Sequence, residues 1–333
     1  MHVSPTIRFD ATTSEWVALS PQRSRRPHQV PRKASESRGS SRDTCPFCPG
    51  NEALTPKELC RVGGFPAWRV RVVPNLYPAF VSAEDQGAAV GSTGLFREQS
   101  ASGAHEVVVE SPDHVDDLRR LPEARVVDLL RALHARYRAL SSATGTAAIV
   151  IFKNQGVRAG TSLSHPHWQI VATPVVPTLL ERKLAVAEEY FRESTRCLYS
   201  DVLAAEERAQ VRLVESSADY VAFVPFASPA PYQVRIQPRL PKASWDEVSL
   251  EELLPLATLL PKLLRRLDAE LAEPDFNITI ACAPPGRSTL RYFSWHLDVV
   301  PRTTVEGGFE LGSGMKINTV LPEQAASNLR RRG

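Results

Sequence analysis

Asn154-Gln-Gly-Val-Arg-Ala-Gly-Thr-Ser-Leu-Ser-His165-Pro-His167-Trp-Gln169 decides how this chain is read. A glycine-spaced polar loop runs into His-x-His-x-Gln, and the apolar Ile170-Val171-Ala172 follows. If that last segment is a strand, residues 165, 167 and 169 share one face, because side chains alternate along a strand. Two imidazoles and a carboxamide then line one wall of a pocket. The backbone amides of the neighbouring loop suit a phosphate. Such a set is equipped for nucleophilic attack on phosphorus.

His167 is the expected nucleophile. A neutral imidazole attacks an α-phosphorus to give a phosphoramidate and splits one transfer into two easier steps. Gln169, a neutral donor on the same face, is placed to hydrogen-bond the non-bridging oxygens as charge shifts. Asn154, Gly156, Gly160, Thr161 and Ser162 are candidates for phosphate or ribose contact, the glycines because they let a ligand approach the backbone closely. A lone histidine reads more simply as a core residue or a plain metal ligand; the whole constellation favours catalysis.

A second signal lies upstream. Cys45-Pro-Phe-Cys48 is a Cys-x-x-Cys knuckle, half of a tetrahedral zinc site. A redox pair is the rival reading, but no thioredoxin-like strand-helix context surrounds it. His165 suits the third ligand position, and His114 in Ser111-Pro-Asp-His114 is the candidate for the fourth. Cys45, Cys48, His114 and His165 would close a structural Zn2+ site that fixes the strand beside the nucleophile.

Composition narrows the class. The chain has 333 residues, 43% hydrophobic and 23% charged, with a net charge of +3. That is ordinary for a soluble globular protein and too weakly basic to imply a nucleic-acid partner. No apolar run is long enough for a membrane span, and the N-terminus lacks the apolar core of a secretory signal, so a cytoplasmic location is expected. Five cysteines, only two closely spaced, argue for metal-binding or free thiols rather than a disulfide framework. Arg23, Arg25, Arg26, Arg32, Lys33, Arg38 and Arg42 cluster in a Ser- and Pro-rich stretch. That stretch is either a solvated arm or an anion-binding segment.

The order of elements repeats. In the first half a strand at 106–110 precedes a helix with Val126, Leu129, Leu130, Leu133, Tyr137 and Leu140 at helical spacing. A strand at 147–152, the glycine loop and the histidine strand follow. In the second half come a strand at 233–237, a helix from Leu250 to Leu271 with Pro255 and Pro261 expected to bend it, a strand at 276–282, a Pro-Gly loop and a strand at 294–300. His296 and Asp298 in that last strand parallel His165 and His167. A connecting helix is expected at 181–192, and 82–104 reads as a surface loop. The chain is therefore divided into residues 1–192, carrying the zinc site and nucleophile, and residues 193–333.

Taken together these motifs resemble the galactose-1-phosphate uridylyltransferase family of the histidine-triad superfamily over nearly the full length. Ser20-Pro-Gln-Arg23-Ser-Arg-Arg26-Pro resembles its N-terminal segment, whose arginines contact nucleotide-sugar phosphates. Val72-Val-Pro-Asn75-Leu-Tyr-Pro-Ala resembles its nucleoside-binding turn, and the Cys45, His114 and His165 segments its zinc site. Phe152-Lys-Asn154 and His165-Pro-His167-Trp-Gln169 resemble its active-site loop and strand. Gly308-Phe309-Glu-Leu311-Gly-Ser-Gly-Met resembles its sugar-proximal loop, and Pro322-Glu-Gln-Ala-Ala its closing helix.

The resemblance implies an α+β fold: a duplicated histidine-triad-like fold of two antiparallel-sheet halves with flanking helices, assembled as a homodimer. It implies ping-pong transfer of UMP from UDP-hexose to a hexose 1-phosphate through a nucleotidyl group on His167. Arg23, Arg26, Asn75, Asn154, Gly160, Thr161, Ser162, Gln169, Phe309 and Leu311 are then the substrate-binding candidates, and no nucleic acid or membrane is a partner.

Four departures stand out. Thr161-Ser-Leu-Ser164 replaces the Cys-Ser-Asn-Pro of better-known members, and Trp168 replaces a small residue. Gly308, Ser313 and Gly314 stand where a Lys, a Tyr and a Glu hold the hexose. A second metal site is reduced to His296, with Asp298 in place of a histidine and Glu181 as the remnant glutamate, so its loss is expected. The Gly-Phe-Glu-x-Gly-Ser-Gly and Ser-Leu-Ser-His patterns also resemble the branch that includes ADP-glucose phosphorylase, where phosphate accepts an adenylyl group. A hydrolase of nucleotidyl phosphoramidates or dinucleoside polyphosphates, and a non-catalytic zinc-containing nucleotide- or nucleic-acid-binding protein, complete the alternatives.

Overall fold

Val, Ile and Phe dominate the short runs on either side of the glycine loop, and they become the centre of one continuous sheet. The computed structural model describes residues 4–25, 41–64, 67–82, 84, 94–115, 117–287 and 290–333. In chain order the elements are β1 (Thr6–Asp10), β2 (Glu15–Leu19), β3 (Cys60–Val62), β4 (Val70–Pro74), β5 (Ala104–Val109), α1 (Glu123–Ser141), β6 (Ala148–Gln155) and β7 (His167–Thr173). They continue as α2 (Thr178–Ser194), α3 (Leu198–Ala209), β8 (Leu213–Ser216), β9 (Tyr220–Phe223), β10 (Val234–Pro238), α4 (Leu250–Leu253), α5 (Leu256–Leu271), β11 (Phe276–Ala281) and β12 (His296–Pro301). α6 (Gly308–Ser313), β13 (Lys316–Asn318) and α7 (Pro322–Arg330) complete the chain.

Ten strands form one antiparallel sheet in the order β3-β4-β5-β7-β6-β11-β12-β10-β9-β8. The order is a palindrome about the β6–β11 pair: β5-α1-β6-β7 on one side matches β10-α5-β11-β12 on the other. The expected duplication is therefore present as two pseudo-equivalent halves of a single sheet. Residue 192, where the sequence divides the chain, lies in the last turn of α2. A separate three-stranded sheet, β1-β2-β13, ties the start of the chain to its end.

Alternation sorts the strand residues onto two faces. Trp168, Ile170 and Ala172 of β7, with Leu297 and Val299 of β12, pack under α1 and α5 in one large apolar core. The opposite face is covered differently in the two halves. Over the first lie the cysteine knuckle and Phe47, packed on Val73, Val107 and Val109. Over the second lie α2 and α3, whose Leu184, Ala187, Leu198 and Tyr199 pack with Ala283 and Phe293. The first half keeps an open cavity on this face; the second is roofed by helices.

The expected 250–271 helix is broken once. Ser249 accepts from the Glu252 amide in a capping box that starts α4, and the chain turns at Pro255 before α5 begins. α5 then runs through Pro261, which removes one helical hydrogen bond, while Leu259, Leu260, Leu263 and Leu264 stay buried in the core.

Candidate active site

β7 begins at His167, not at His165. Pro166 separates the two histidines, and this corrects the expectation that 165, 167 and 169 share one strand face. His165 turns away into the cysteine knuckle, whereas His167 and Gln169 face the cavity. That cavity, about 500 Å³, is lined on its apolar side by Phe47, Leu54, Pro56, Val73 and Leu76, and on its polar side by Asn75, Ser162, His167 and Gln169.

The His167 ring is held in one tautomer. Its Nδ1 lies 2.8 Å from the His165 carbonyl oxygen. That oxygen can only accept, so Nδ1 carries the proton and Nε2 keeps its lone pair. Phe47 packs edge-on against the ring with centroids 5.3 Å apart. Only 8% of the residue is exposed, and burial pushes the imidazole down to about 4, with nearby Lys153 adding to the shift and the His165 carbonyl opposing it. At neutral pH the ring is uncharged, the state a nucleophile requires.

Cys45, Cys48, His114 and His165 meet beneath this strand. Their ligand atoms lie within 4.8 Å of one another and all four residues are buried. Cys48 Sγ is 3.2 Å from His114 Nδ1 and 3.6 Å from His165 Nδ1. Each ring is oriented through its far nitrogen: His165 Nε2 donates to the Ser111 carbonyl at 2.8 Å, and His114 Nε2 lies 3.1 Å from Ser164 Oγ. This leaves both Nδ1 atoms as ligands, the outer-shell arrangement of a metal-binding histidine. Burial, with Cys45 alongside, pushes the Cys48 thiol up to about 11. Two thiolates at this depth need a cation between them, so the donor set fits a tetrahedral metal.

The loop before β7 has two glycines in the left-handed region, at φ +86° for Gly156 and +87° for Gly160. Gly156 abuts the Asp275 carboxylate, which accepts the Arg158 amide at 2.7 Å; a Cβ at 156 would overlap it at 1.8 Å. Gly160 and Ser162 reach the cavity. Thr161 does not line it: its hydroxyl donates to the Leu163 carbonyl at 2.9 Å. Asn154 also lies outside the lining, on the central seam, where its carbonyl oxygen accepts from Asn277 at 2.8 Å.

Other expected binding residues are not gathered here. Arg23 is exposed and lines a separate depression of about 320 Å³ with Arg302 and Lys316. Phe309 and Leu311, 51% and 75% exposed on α6, are absent from the His167 cavity. Arg26 lies outside the described residues.

The second half corrects another expectation. Glu181 is exposed, and it is Lys183, two residues on, that reaches His296, its ammonium donating to Nε2 at 3.0 Å. Asp298 forms a two-point ion pair with Arg235 at 2.9 and 3.0 Å. Burial opposes ionisation of Asp298, but Arg235 outweighs it and holds the carboxyl below its usual range. The counterpart of His167 is also His296 rather than Asp298: each opens its strand, and His296 Nδ1 bonds the Ser294 carbonyl at 3.1 Å as His167 Nδ1 bonds that of His165.

The sequence reading missed His105 altogether. Its Nε2 lies 2.7 Å from Gln169 Oε1. The available signal was a histidine two residues before Val107 in a valine-rich strand, the spacing that puts it on the cavity face. It also left Trp168 unexplained. The indole donates at 2.8 Å to Glu110, which is paired at 3.0 Å with Lys153, and both charged side chains are fully buried.

Known proteins resemble this chain in sequence and in fold. The family profile described as galactose-1-phosphate uridyl transferase, N-terminal domain, matches residues 1–177. An ADP-glucose phosphorylase of Arabidopsis thaliana is 33% identical over 330 residues, covering 98% of this chain and 93% of that protein. A galactose-1-phosphate uridylyltransferase of Thermotoga maritima is 29% identical over 333 residues, covering 97% of each. A crystal structure of an Arabidopsis thaliana ADP-glucose phosphorylase with bound ADP-glucose superposes with a TM-score of 0.86 at 32% identity, covering 98% of both chains. With the family profile over more than half of its length and a relative 33% identical across 98% of it, the chain belongs to the galactose-1-phosphate uridylyltransferase family.

Proposed function

We propose that this enzyme transfers UMP from a UDP-hexose to a hexose 1-phosphate through a covalent nucleotidyl group on His167. The observation that carries this reading is the single-tautomer His167 ring, with its Nε2 lone pair free and Gln169 beside it in the cavity. Nε2 attacks the α-phosphorus, the bond to the departing hexose 1-phosphate breaks, and that phosphate leaves with the electron pair. The His165 carbonyl stabilises the positive ring that forms. The second sugar phosphate then attacks the same phosphorus and releases Nε2.

Asn75, Gly160 and Ser162 are the substrate-binding residues at the cavity itself. Asn154 and Thr161 support the loop. Arg23, Phe309 and Leu311 keep their assignment as substrate contacts in a homodimer, in which a second copy brings them to the cavity, and Arg26 keeps its assignment from the resemblance. The exposure of Phe309 and Leu311 is in keeping with that assembly. Zn2+ is the metal proposed for the Cys2His2 cluster, where it would fix the knuckle and the start of β7. Five cysteines without a disulfide among them suit a reducing cytoplasm.

Adenylyl transfer to phosphate, the reaction class of an ADP-glucose phosphorylase, is the second reading. It is favoured by the 33% identity to that relative. Intact mass after brief incubation with UDP-glucose and, separately, ADP-glucose distinguishes them, with His167→Ala as control. A UMP adduct on the unmodified chain alone supports the first reading, and an AMP adduct alone moves the chain to the second. No adduct and no turnover with either would remove both.

A further inference from the structure

Gln169 has a chemically ambiguous side chain. Its carboxamide can turn either an NH2 or an oxygen toward a bound phosphate, and only the NH2 attracts it. A flipped amide would set its oxygen against the phosphate oxygens. Something must select the orientation.

The selection is built into β5 and the turn after β4. His105 and Val107 share the cavity face of β5; Val107 pairs opposite Gln169, and His105 opposite Val171. His105 and Gln169 are thus diagonal neighbours, within reach of long side chains. The Ala79 backbone amide points at His105 Nδ1 from 3.2 Å. A backbone N–H can only donate, so Nδ1 accepts, and in the neutral ring the proton must sit on Nε2. Nε2–H then donates to the atom 2.7 Å away, and that atom has to be the Gln169 oxygen. The Gln169 NH2 is left for the cavity.

Asn75 offers no alternative acceptor, and its NH2 makes no hydrogen bond to the protonated Nε2. Its oxygen accepts the Tyr77 amide at 2.9 Å, which leaves its nitrogen 3.1 Å from His105 Nε2. The single Nε2 hydrogen is already directed at Gln169, so Asn75 lies alongside and cannot substitute as the acceptor.

Resting on the nucleotidyl-transfer reading, we propose that His105 is the positioning residue of this site: its Nε2–H holds the Gln169 oxygen so that the amide NH2 faces the phosphate that His167 attacks. His105 touches no substrate. Its effect runs through Gln169, and a fixed donor counts most where charge shifts in the transition state.

The test compares His105→Phe with His105→Gln. Both lose the acceptor for Ala79, but only glutamine keeps a donor that reaches Gln169. For His105→Phe, the single-turnover rate of nucleotidyl-adduct formation is expected to fall about 10-fold with KM little changed, and His105→Gln to recover most of that loss. Adding His105→Phe to Gln169→Ala should cost nothing further, since the two act as one unit. Equal damage from Phe and Gln, or additive losses with Gln169→Ala, would show that His105 merely supports the 75–79 turn and would overturn the proposal.

Nitrogen-15 NMR of histidine-labelled protein gives a readout independent of activity. His105 is expected as the Nε2–H tautomer, with signals displaced in Gln169→Ala. An Nδ1–H tautomer, or signals indifferent to Gln169, would sink the pairing. If the unmodified enzyme forms no adduct, the nucleotidyl-transfer reading fails, and the NMR result alone then decides whether His105 orients Gln169.

Discussion

His167 and His296 open corresponding strands of the duplicated sheet, each with Nδ1 bonded to the carbonyl two residues upstream. Their other nitrogens meet opposite surroundings. His167 Nε2 is free at an open cavity; His296 Nε2 accepts from the Lys183 ammonium under a roof of two helices. The same scaffold thus holds one imidazole whose Nε2 is open to a cavity and one whose Nε2 is occupied. His296→Ala should fold and still form the nucleotidyl adduct, whereas His167→Ala should form none. Adduct on His167→Ala, mapped by peptide mass to another residue, would sink the assignment.

Lys183 makes the second half sensitive to pH. Burial, reinforced by Arg235 and opposed by Asp298, Asp10 and Glu15, lowers its ammonium to about 8 from the ordinary 10.5. Between those values the unfolded chain holds the proton and the folded chain does not, so this residue makes stability rise with pH across that window and adds no slope below it. The shift corresponds to roughly 3 kcal/mol at full extent. In urea unfolding, the stability of the unmodified chain relative to Lys183→Met should therefore increase by on the order of 2–3 kcal/mol between about pH 7 and about pH 10. A constant difference would mean that Lys183 is not a buried ammonium.

The four-ligand cluster predicts a metal-dependent strand start. Purified protein should carry about one zinc per chain by elemental analysis. Cys48→Ala and His114→Ala should lose most of it, while Cys282→Ala, buried in the main core, should not. Chelation should lower the melting temperature and also slow adduct formation, because the His165 carbonyl that orients His167 belongs to a residue of this cluster. Retained zinc in both ligand variants would place the metal elsewhere.

How far these features were legible depended on whether each signal was local. β5, α1, β6, β7 and their counterparts announce themselves through β-branched runs and helical spacing, and His167 and Gln169 through alternation. Cys-x-x-Cys was readable because two ligands sit on one turn. His165 was placed on the wrong face because Pro166, which delays the strand, acts through backbone geometry that alternation ignores. β3, β8 and β13, with three or four residues each, are too short to show a period. Gly308–Ser313 reads as a loop because glycines at its first and fifth positions hide the helix α6. Lys183 has no local signal, because its role depends on a contact across 113 residues; alternation puts His105 on the cavity face, but its bond to Gln169 spans 64 residues and no local pattern encodes it.

Trp168 and its partners give the last prediction. Its indole N–H, the Glu110 carboxylate and the Lys153 ammonium form a dry triad, with both charges fully buried. Burial raises the Glu110 carboxyl and Lys153 opposes that rise, so each charge is tolerable only because the other is present. Glu110→Gln keeps an acceptor for the indole but strands the ammonium, and should cost on the order of 3–5 kcal/mol in urea unfolding. Combining it with Lys153→Met removes the stranded charge and leaves the carboxamide oxygen for Trp168. The double variant should therefore be more stable than Glu110→Gln alone, although it carries one more substitution. Because the triad lies on the helix side of β7, away from the cavity, the double variant should also keep most of its adduct-forming rate. Additive losses in stability would show that the pair is not coupled. A rate that collapses while the fold stays intact would instead place Lys153 at the substrate.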